Sequence, residues 1–169
     1  RPCLVVGKST VPVGTAELLR DRAAELSPVG TDVRLVWNPE FLREGFAVRD
    51  TLEPDRLVVG VDAQADADEL AELYGPVLAH GMPWVVVDLA TAQLVKNAAN
   101  AFLATKISFI NAMAELCEET GADVVALADA IGHDARIGRR FLQAGLGFGG
   151  GPRRRGVRPR ASFRFLPWS

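Results

Sequence analysis

Among the polar residues of this chain that stand four positions apart, the spacing that puts side chains on one face of a helix, two pairs could do chemistry. Lys96 and Asn100 lie in an otherwise largely apolar stretch. An ammonium and a carboxamide on one face could hold a hydroxyl or a developing oxyanion; they could equally form an exposed stripe opposite a buried face. Asn is a poor helix former, and Asn97 and Asn100 both fall in mid-stretch, which keeps these two readings level. Glu40 and Glu44 are the second pair. Two carboxylates there would suit general base work and hydroxyl binding, but spacing alone reads first as a solvated face with acids near a helix N-terminus. The segment KSTVPVGT sets Ser9 and Thr10 between a strand and a helix. Hydroxyls at that place can meet a ligand, because open parallel sheets bind ligands at the carboxyl ends of their strands; turn chemistry accounts for them as well. The run AGLGFGGG holds five glycines in residues 144–151. It is either a linker or a loop whose N–H groups wrap an anion, with Arg136 as a nearby source of charge or a plain surface arginine.

The elements that must position these groups follow from hydrophobic period. Short apolar runs at residues 3–7, 33–37, 56–61 and 84–87 read as strands. Helices are expected at 15–27, with Leu18, Leu19, Arg22 and Leu26 spaced for one face, and at 65–79, with Leu70, Leu73, Val77 and Leu78 inward. After Trp37 the chain reads as a turn into a short helix, capped by Asn38 with Pro39 at its first position. Strands alternating with helices, and apolar on both faces, predict an α/β fold with a parallel sheet and covering helices. The pattern changes at Thr91. No Gly or Pro occurs from there to Glu119, and apolar residues recur at three- and four-residue steps, so one helix of about 45 Å is expected. Gly121 is its stop, and a second helix follows at 123–131. Residues 3–87 are expected to hold parallel strands throughout.

Composition narrows the classes. At 49% hydrophobic and 24% charged residues the chain is globular material. No apolar stretch approaches the ~18 residues of a membrane span, and the opening lacks the order of a signal peptide. With no initiator Met and a start in mid-strand, the N-terminus reads as truncated. Cys3 and Cys117 give neither metal spacing nor a disulfide framework, so no metal is expected and a reducing cytoplasmic compartment is the default. His80 and His133 are isolated. Residues 1–151 carry 21 acidic and 13 basic side chains, a net −8, whereas the last 18 residues carry six Arg and no acid. A nucleic-acid role for that tail is disfavoured, because the body would repel phosphates.

Four stretches taken together, KSTVPVGT, NPEFLREGFAVRDTLEPDRLVVG, TAQLVKNAANAFLATKISFINAMAELCEETGADV and AIGHDARIGRRFLQAGLGFGGG, resemble the UDP-glucose/GDP-mannose dehydrogenase family. The resemblance covers residues 1–151. It implies that residues 1–88 are the C-terminal part of a Rossmann-like NAD-binding domain and 89–151 a helical central dimerisation domain. It implies oxidation of the 6-hydroxyl of UDP-glucose, or of GDP-mannose or another nucleotide sugar, to a carboxylate with two NAD⁺ through a cysteine thioester. The partners implied are the nucleotide sugar and a second copy of the chain in a homodimer or larger assembly, with no nucleic acid and no membrane.

The same resemblance assigns residues. Thr10 would lie by the nicotinamide or the bound water, with Ser9 and Val11 beside it at the cofactor. Glu40 would serve the hydrolysis and contact the sugar together with Phe41, Leu42 and Arg43, and Glu44 would touch both cofactor and substrate. Lys96 and Asn100 would hold the sugar 6-oxygen. Arg136 would reach the neighbouring subunit's substrate site, and the loop with Gln143, Gly145, Gly147, Phe148 and Gly149 would wrap the nucleotide sugar. Departures accompany these matches. The family's glycine fingerprint belongs upstream of Arg1. Pro152 stands where the resemblance calls for the cysteine nucleophile, and Arg155 and Gly156 stand where it calls for Lys and Asp. Residues 152–169 read as an unmatched, frameshifted tail. The chain as it stands is therefore expected to have no turnover, and a non-catalytic dimerisation module is the alternative of another class.

Overall fold

The computed structural model describes residues 3–28, 33–43 and 45–145. It divides into two compact units, residues 1–99 and 100–169. In the first, β1 (Cys3–Gly7), β2 (Val33–Trp37), β3 (Leu57–Gly60) and β4 (Trp84–Val87) form one sheet in the order β1-β2-β3-β4. Between them come α1 (Thr15–Leu26), α2 (Ala47–Leu52), α3 (Gln64–Leu73) and the single turn α4 (Gly75–Leu78). Then α5 runs from Leu89 to Thr120, followed by α6 (Val124–Gly132).

The strand pairs β1–β2 and β3–β4 are parallel, with Cys3 opposite Val33 and Leu57 opposite Trp84. The joint between them is not. Trp37 meets Gly60 in an antiparallel pairing, which corrects the expectation of parallel strands throughout residues 3–87. A parallel crossover needs a helix that packs back on the sheet. The connection from β2 to β3 offers only α2, six residues long with Asp50 as its one buried side chain. Side chains alternate along β2, so that Leu35 and Trp37 face Ala16, Val58, Leu89 and Ala92, while Val36 faces Val59 and Leu70. The sheet is thus buried on both sides, by α1 and the start of α5 on one and by α3 on the other.

Three helical expectations change in the folded chain. Helix α1 buries Ala16, and Leu18, Leu19 and Leu26 are exposed; a small side chain suits the close approach to Leu35 and Ala92. The helix expected over 65–79 breaks at Tyr74, because Gly75 and Pro76 begin a new turn, and Leu73 is left exposed. Asn38 and Pro39 start no helix, since Asn38 is spent in the sheet: its N–H donates to the Gly7 carbonyl at 2.7 Å, and it is fully buried. Gly60 admits the start of α5 onto β3, as a Cβ there would fall 2.6 Å from the Ala92 Cβ.

In the second unit, Gly121 turns with φ +74° and ends α5, and the Asp123 carboxylate caps α6 by accepting from the N–H groups of Val125 and Ala126. Ile110, Cys117 and Leu142 are buried. Among the described residues no helix is long and apolar enough to cross a membrane.

Candidate functional site

The carboxyl ends of β1 and β2 release two connections side by side, and the first turns of α5 lie against both. From β1, residues 8–14 run without regular structure to α1. Ser9 is exposed there, and Thr10 and Val11 are half-buried. The Val11 carbonyl accepts a hydrogen bond from Asn97 Nδ2 at 3.0 Å. The first turn of α1 has no side-chain cap of its own, because its cap position is Gly14. Gln93 takes that role from α5: its Oε1 accepts from the Ala16 N–H at 3.0 Å, and its Nε2 donates to Glu17 Oε2 at 2.8 Å and to the Leu89 carbonyl at 2.9 Å.

From β2, residues 38–43 leave without regular structure, so Glu40 does not stand on the helix its spacing had suggested. Glu44 itself lies outside the described residues. The Glu40 N–H donates to the Lys8 carbonyl at 3.3 Å, which ties the two connections together. Below them Lys8 Nζ donates to Asn38 Oδ1 at 2.6 Å and to the Tyr74 hydroxyl at 2.9 Å, Tyr74 donates in turn to Asn38 Oδ1 at 2.8 Å, and Asn38 Nδ2 donates to the Val58 carbonyl at 2.8 Å. Every polar group of this knot has a partner, as burial requires.

Phe41 is the meeting point. Its ring lies 4.1 Å from the Arg56 guanidinium and 5.2 Å from Lys96 Nζ, so two cations address one aromatic ring. Lys96 is only 8% exposed, and among the described residues its ammonium has no hydrogen bond and no carboxylate partner. An ammonium on a largely buried stem, with an aromatic neighbour and spare donors, is equipped to bind an oxygen that gains negative charge. Leu42 is exposed. Arg43 is committed elsewhere: its Nε, Nη2 and backbone N–H all donate to the Asp50 carboxylate, at 2.9, 2.5 and 2.8 Å. That arginine holds Asp50 down to a pKa of about 2, and Asp50 raises the Arg43 pKa in return. The ion pair staples the Phe41 loop to α2. A shallow apolar depression over α2, lined by Phe46, Val48, Arg49 and Leu52, contains none of the expected site residues.

The remaining expected residues belong to the second unit. Asn100 follows Lys96 by four residues on α5. Arg136 projects with its side chain 89% exposed, yet it is held: Asp134 accepts from its N–H, Nε and Nη2 at 2.9, 3.0 and 2.6 Å. This pair lowers the Asp134 pKa and raises that of Arg136. Lys106 Nζ donates to the Ile137 carbonyl at 2.9 Å and steadies the same turn. Gln143 and Gly145 are exposed, and the Gly145 N–H donates to Asn111 Oδ1 at 2.9 Å. Gly147, Phe148 and Gly149 lie outside the described residues.

Sequence reasoning thus named Thr10, Glu40, Phe41 and Lys96, and the first unit gathers all four around the ends of β1 and β2. It missed what holds them: Lys8, Asn38 and Tyr74, the Arg56 stack, and the Gln93–Asn97 pair. Only the last left a signal, two amides four apart in an apolar helix.

Residues 1–78 match the NAD binding domain of the UDP-glucose/GDP-mannose dehydrogenase family, and residues 90–157 match that family's central domain. The second match runs past Gly151, into the stretch that was expected to stay unmatched. The UDP-glucose 6-dehydrogenase of Rickettsia typhi is 49% identical over 150 residues, which are 89% of this chain and 34% of the relative. UDP-glucose 6-dehydrogenase TuaD of Bacillus subtilis is 49% identical over 147 residues, 87% of this chain and 31% of its own length. Among solved structures, a UDP-glucose dehydrogenase from Pyrobaculum islandicum aligns with a TM-score of 0.80 and 46% identity, over 87% of this chain and 33% of that one. A GDP-mannose dehydrogenase from Pseudomonas aeruginosa aligns with a TM-score of 0.68 and 29% identity, over 88% of this chain and 35% of that one. The chain spans about a third of the length of the curated relatives it matches.

Proposed function

Because the chain belongs to the UDP-glucose/GDP-mannose dehydrogenase family, we propose that it carries part of the catalytic site of an NAD-dependent UDP-glucose 6-dehydrogenase, in a cytoplasmic protein. The reading puts the cofactor-domain portion at residues 1–88 and the central helical domain at 89–151. One observation carries it: a largely buried lysine on α5 whose ammonium has no anionic partner among the described residues and stands 5.2 Å from the ring of Phe41, in the loop that bears Glu40. NAD⁺, when bound, supplies the hydride acceptor. The donor set fits that cofactor, with the Ser9 and Thr10 hydroxyls at the carboxyl end of β1, where parallel sheets receive nucleotides.

The chain's own residues then divide the work. Lys96 holds the sugar 6-oxygen as its proton leaves, and Asn100 shares that oxygen. Glu40 draws a proton from water in the hydrolytic half of the reaction, and Phe41 walls the sugar side. Thr10, with Ser9 and Val11, orients the nicotinamide end. Arg136 addresses the diphosphate of a sugar nucleotide bound by a second copy of the chain, and the segment from Gln143 to Gly149 contacts the nucleotide sugar. Pro152 offers no thiol, so the second oxidation has no covalent route in this chain.

Association runs along α5, where Phe102, Phe109 and Leu116 are exposed and seven residues apart, a seam that a second α5 can fill. The test is a titration of the purified chain with UDP-glucose and with GDP-mannose, followed by NMR, beside an assay for NADH. UDP-glucose is expected to shift Glu40, Phe41 and Lys96, and Lys96→Met to abolish the effect. No NADH is expected from the wild type or from Pro152→Cys. NADH formation by the wild type that depends on UDP-glucose would show a different catalytic constellation.

A further inference from the structure

Helix α5 repeats one device twice. Gln93 and Asn97 each spend one amide N–H on the carbonyl four residues back, Leu89 and Gln93 respectively, at 2.9 and 3.2 Å. That bond fixes the rotamer of each amide. Each then reaches across to the segment around the β1–α1 connection: Asn97 Nδ2 to the Val11 carbonyl, and Gln93 Oε1 to the Ala16 N–H. Both N–H groups of Asn97 are consumed, and Gln93 is 1% exposed with its amide bonded at both ends. The two residues lie about 6 Å apart along the helix, and Lys96 stands between them in sequence.

An amide inside an apolar helix is a poor choice for helix stability, and two that bond the same neighbouring segment argue for a fixed spacing. We propose that Asn97 and Gln93 are positioning residues that splint the Thr10 loop onto α5 and so set the distance between the Thr10 hydroxyl and the Lys96 ammonium. The functional half of this statement rests on the roles given above to Thr10 and Lys96. The splint itself is testable without any ligand.

The experiment uses the full chain and NMR. In the wild type, a through-hydrogen-bond coupling is expected between the Asn97 side-chain nitrogen and the Val11 carbonyl carbon, and its absence would overturn the proposal. Asn97→Asp keeps the shape but sets carboxylate oxygens against the Val11 and Gln93 carbonyls. At neutral pH, the amides of Thr10, Val13, Thr15 and Ala16 should therefore shift and lose about ten-fold in exchange protection, the factor one ordinary hydrogen bond supplies. Below the usual aspartic range, about pH 4, the protonated acid can donate again, and the loop shifts should return toward the wild type. Asn97→Ala should show the loosened loop at every pH. Glu17 accepts from Gln93 Nε2 and is a carboxylate beside the splint, so a wild-type pH series is subtracted. Amides of α6 report that the fold is intact. An Asp variant with wild-type loop shifts at neutral pH, or Asp and Ala variants alike at all pH values, would show that Asn97 only fills space. Titration of the wild type with NAD⁺ reads the functional half separately: an intact splint whose loop ignores NAD⁺ would remove the cofactor role from Thr10 and leave the splint standing.

Discussion

Replacing Gly60 by alanine tests how closely α5 must approach the sheet. The added Cβ would lie 2.6 Å from the Ala92 Cβ and 3.0 Å from both the Asp88 carbonyl oxygen and the Leu89 Cα. Non-bonded carbons rest at ~3.5–4.0 Å, so the shortfall at Ala92 is about 1 Å. None of these atoms sits at the end of a flexible side chain that can swing aside; the first turns of α5 must move off β3. Overpacking of this kind costs about 2 kcal/mol, which lowers Tm by roughly 4–8 °C for a chain of this size. The assay is urea unfolding followed by the fluorescence of Trp37 and Trp84, both of which pack in the sheet cores. Gly75→Ala is the control, because a Cβ there meets nothing within 4 Å; it should leave the midpoint unchanged or raise it slightly. In the double variant Gly60→Ala with Ala92→Gly, the worst contact disappears while the Asp88 and Leu89 contacts remain. A glycine in a helix costs about 1 kcal/mol by itself, so recovery should be partial and the two changes non-additive. Gly60→Ala at wild-type stability, or strict additivity in the double variant, would refute the close-approach argument.

Two further outcomes follow from the site and from α5. Asp50 titrates at about 2 in the folded chain against 3.8 in its ordinary state, so the Arg43–Asp50 staple contributes stability that is complete above about pH 4 and is lost as pH falls through about 2. Asp50→Asn should remove that acid dependence, which urea midpoints measured across this window would record; wild type and variant with parallel pH profiles would contradict it. Phe102→Glu changes an exposed position, 67% accessible, and should abolish the self-association proposed along α5, as sedimentation would record; a variant that associates as the wild type does would move the seam off this face.

What the sequence determined by itself is local. Strands at 3–7, 33–37 and 84–87 and the long helix from near Thr91 follow from runs and periods of apolar residues, because burial of a periodic face is encoded within a dozen neighbouring positions. Gly121 as a helix stop follows from one residue's freedom at positive φ. The presence of Thr10, Glu40 and Lys96 was legible because their chemistry and their places after strands or on a helix are properties of short segments. Tertiary structure alone decided the rest. Asn38 and Pro39 have the form of a helix start, yet a hydrogen bond to Gly7 and a knot with Lys8 and Tyr74 claim Asn38 for the sheet. Those partners stand 30 or more residues away, and no local pattern announces them. Tertiary packing also decided the antiparallel joint at Trp37 and Gly60, the commitment of Arg43 to the Asp50 carboxylate, and the burial of the small Ala16 in place of its larger leucine neighbours. Each is a choice among partners that compete only once the chain is compact, where geometry and the cost of an unpaired buried group select one arrangement.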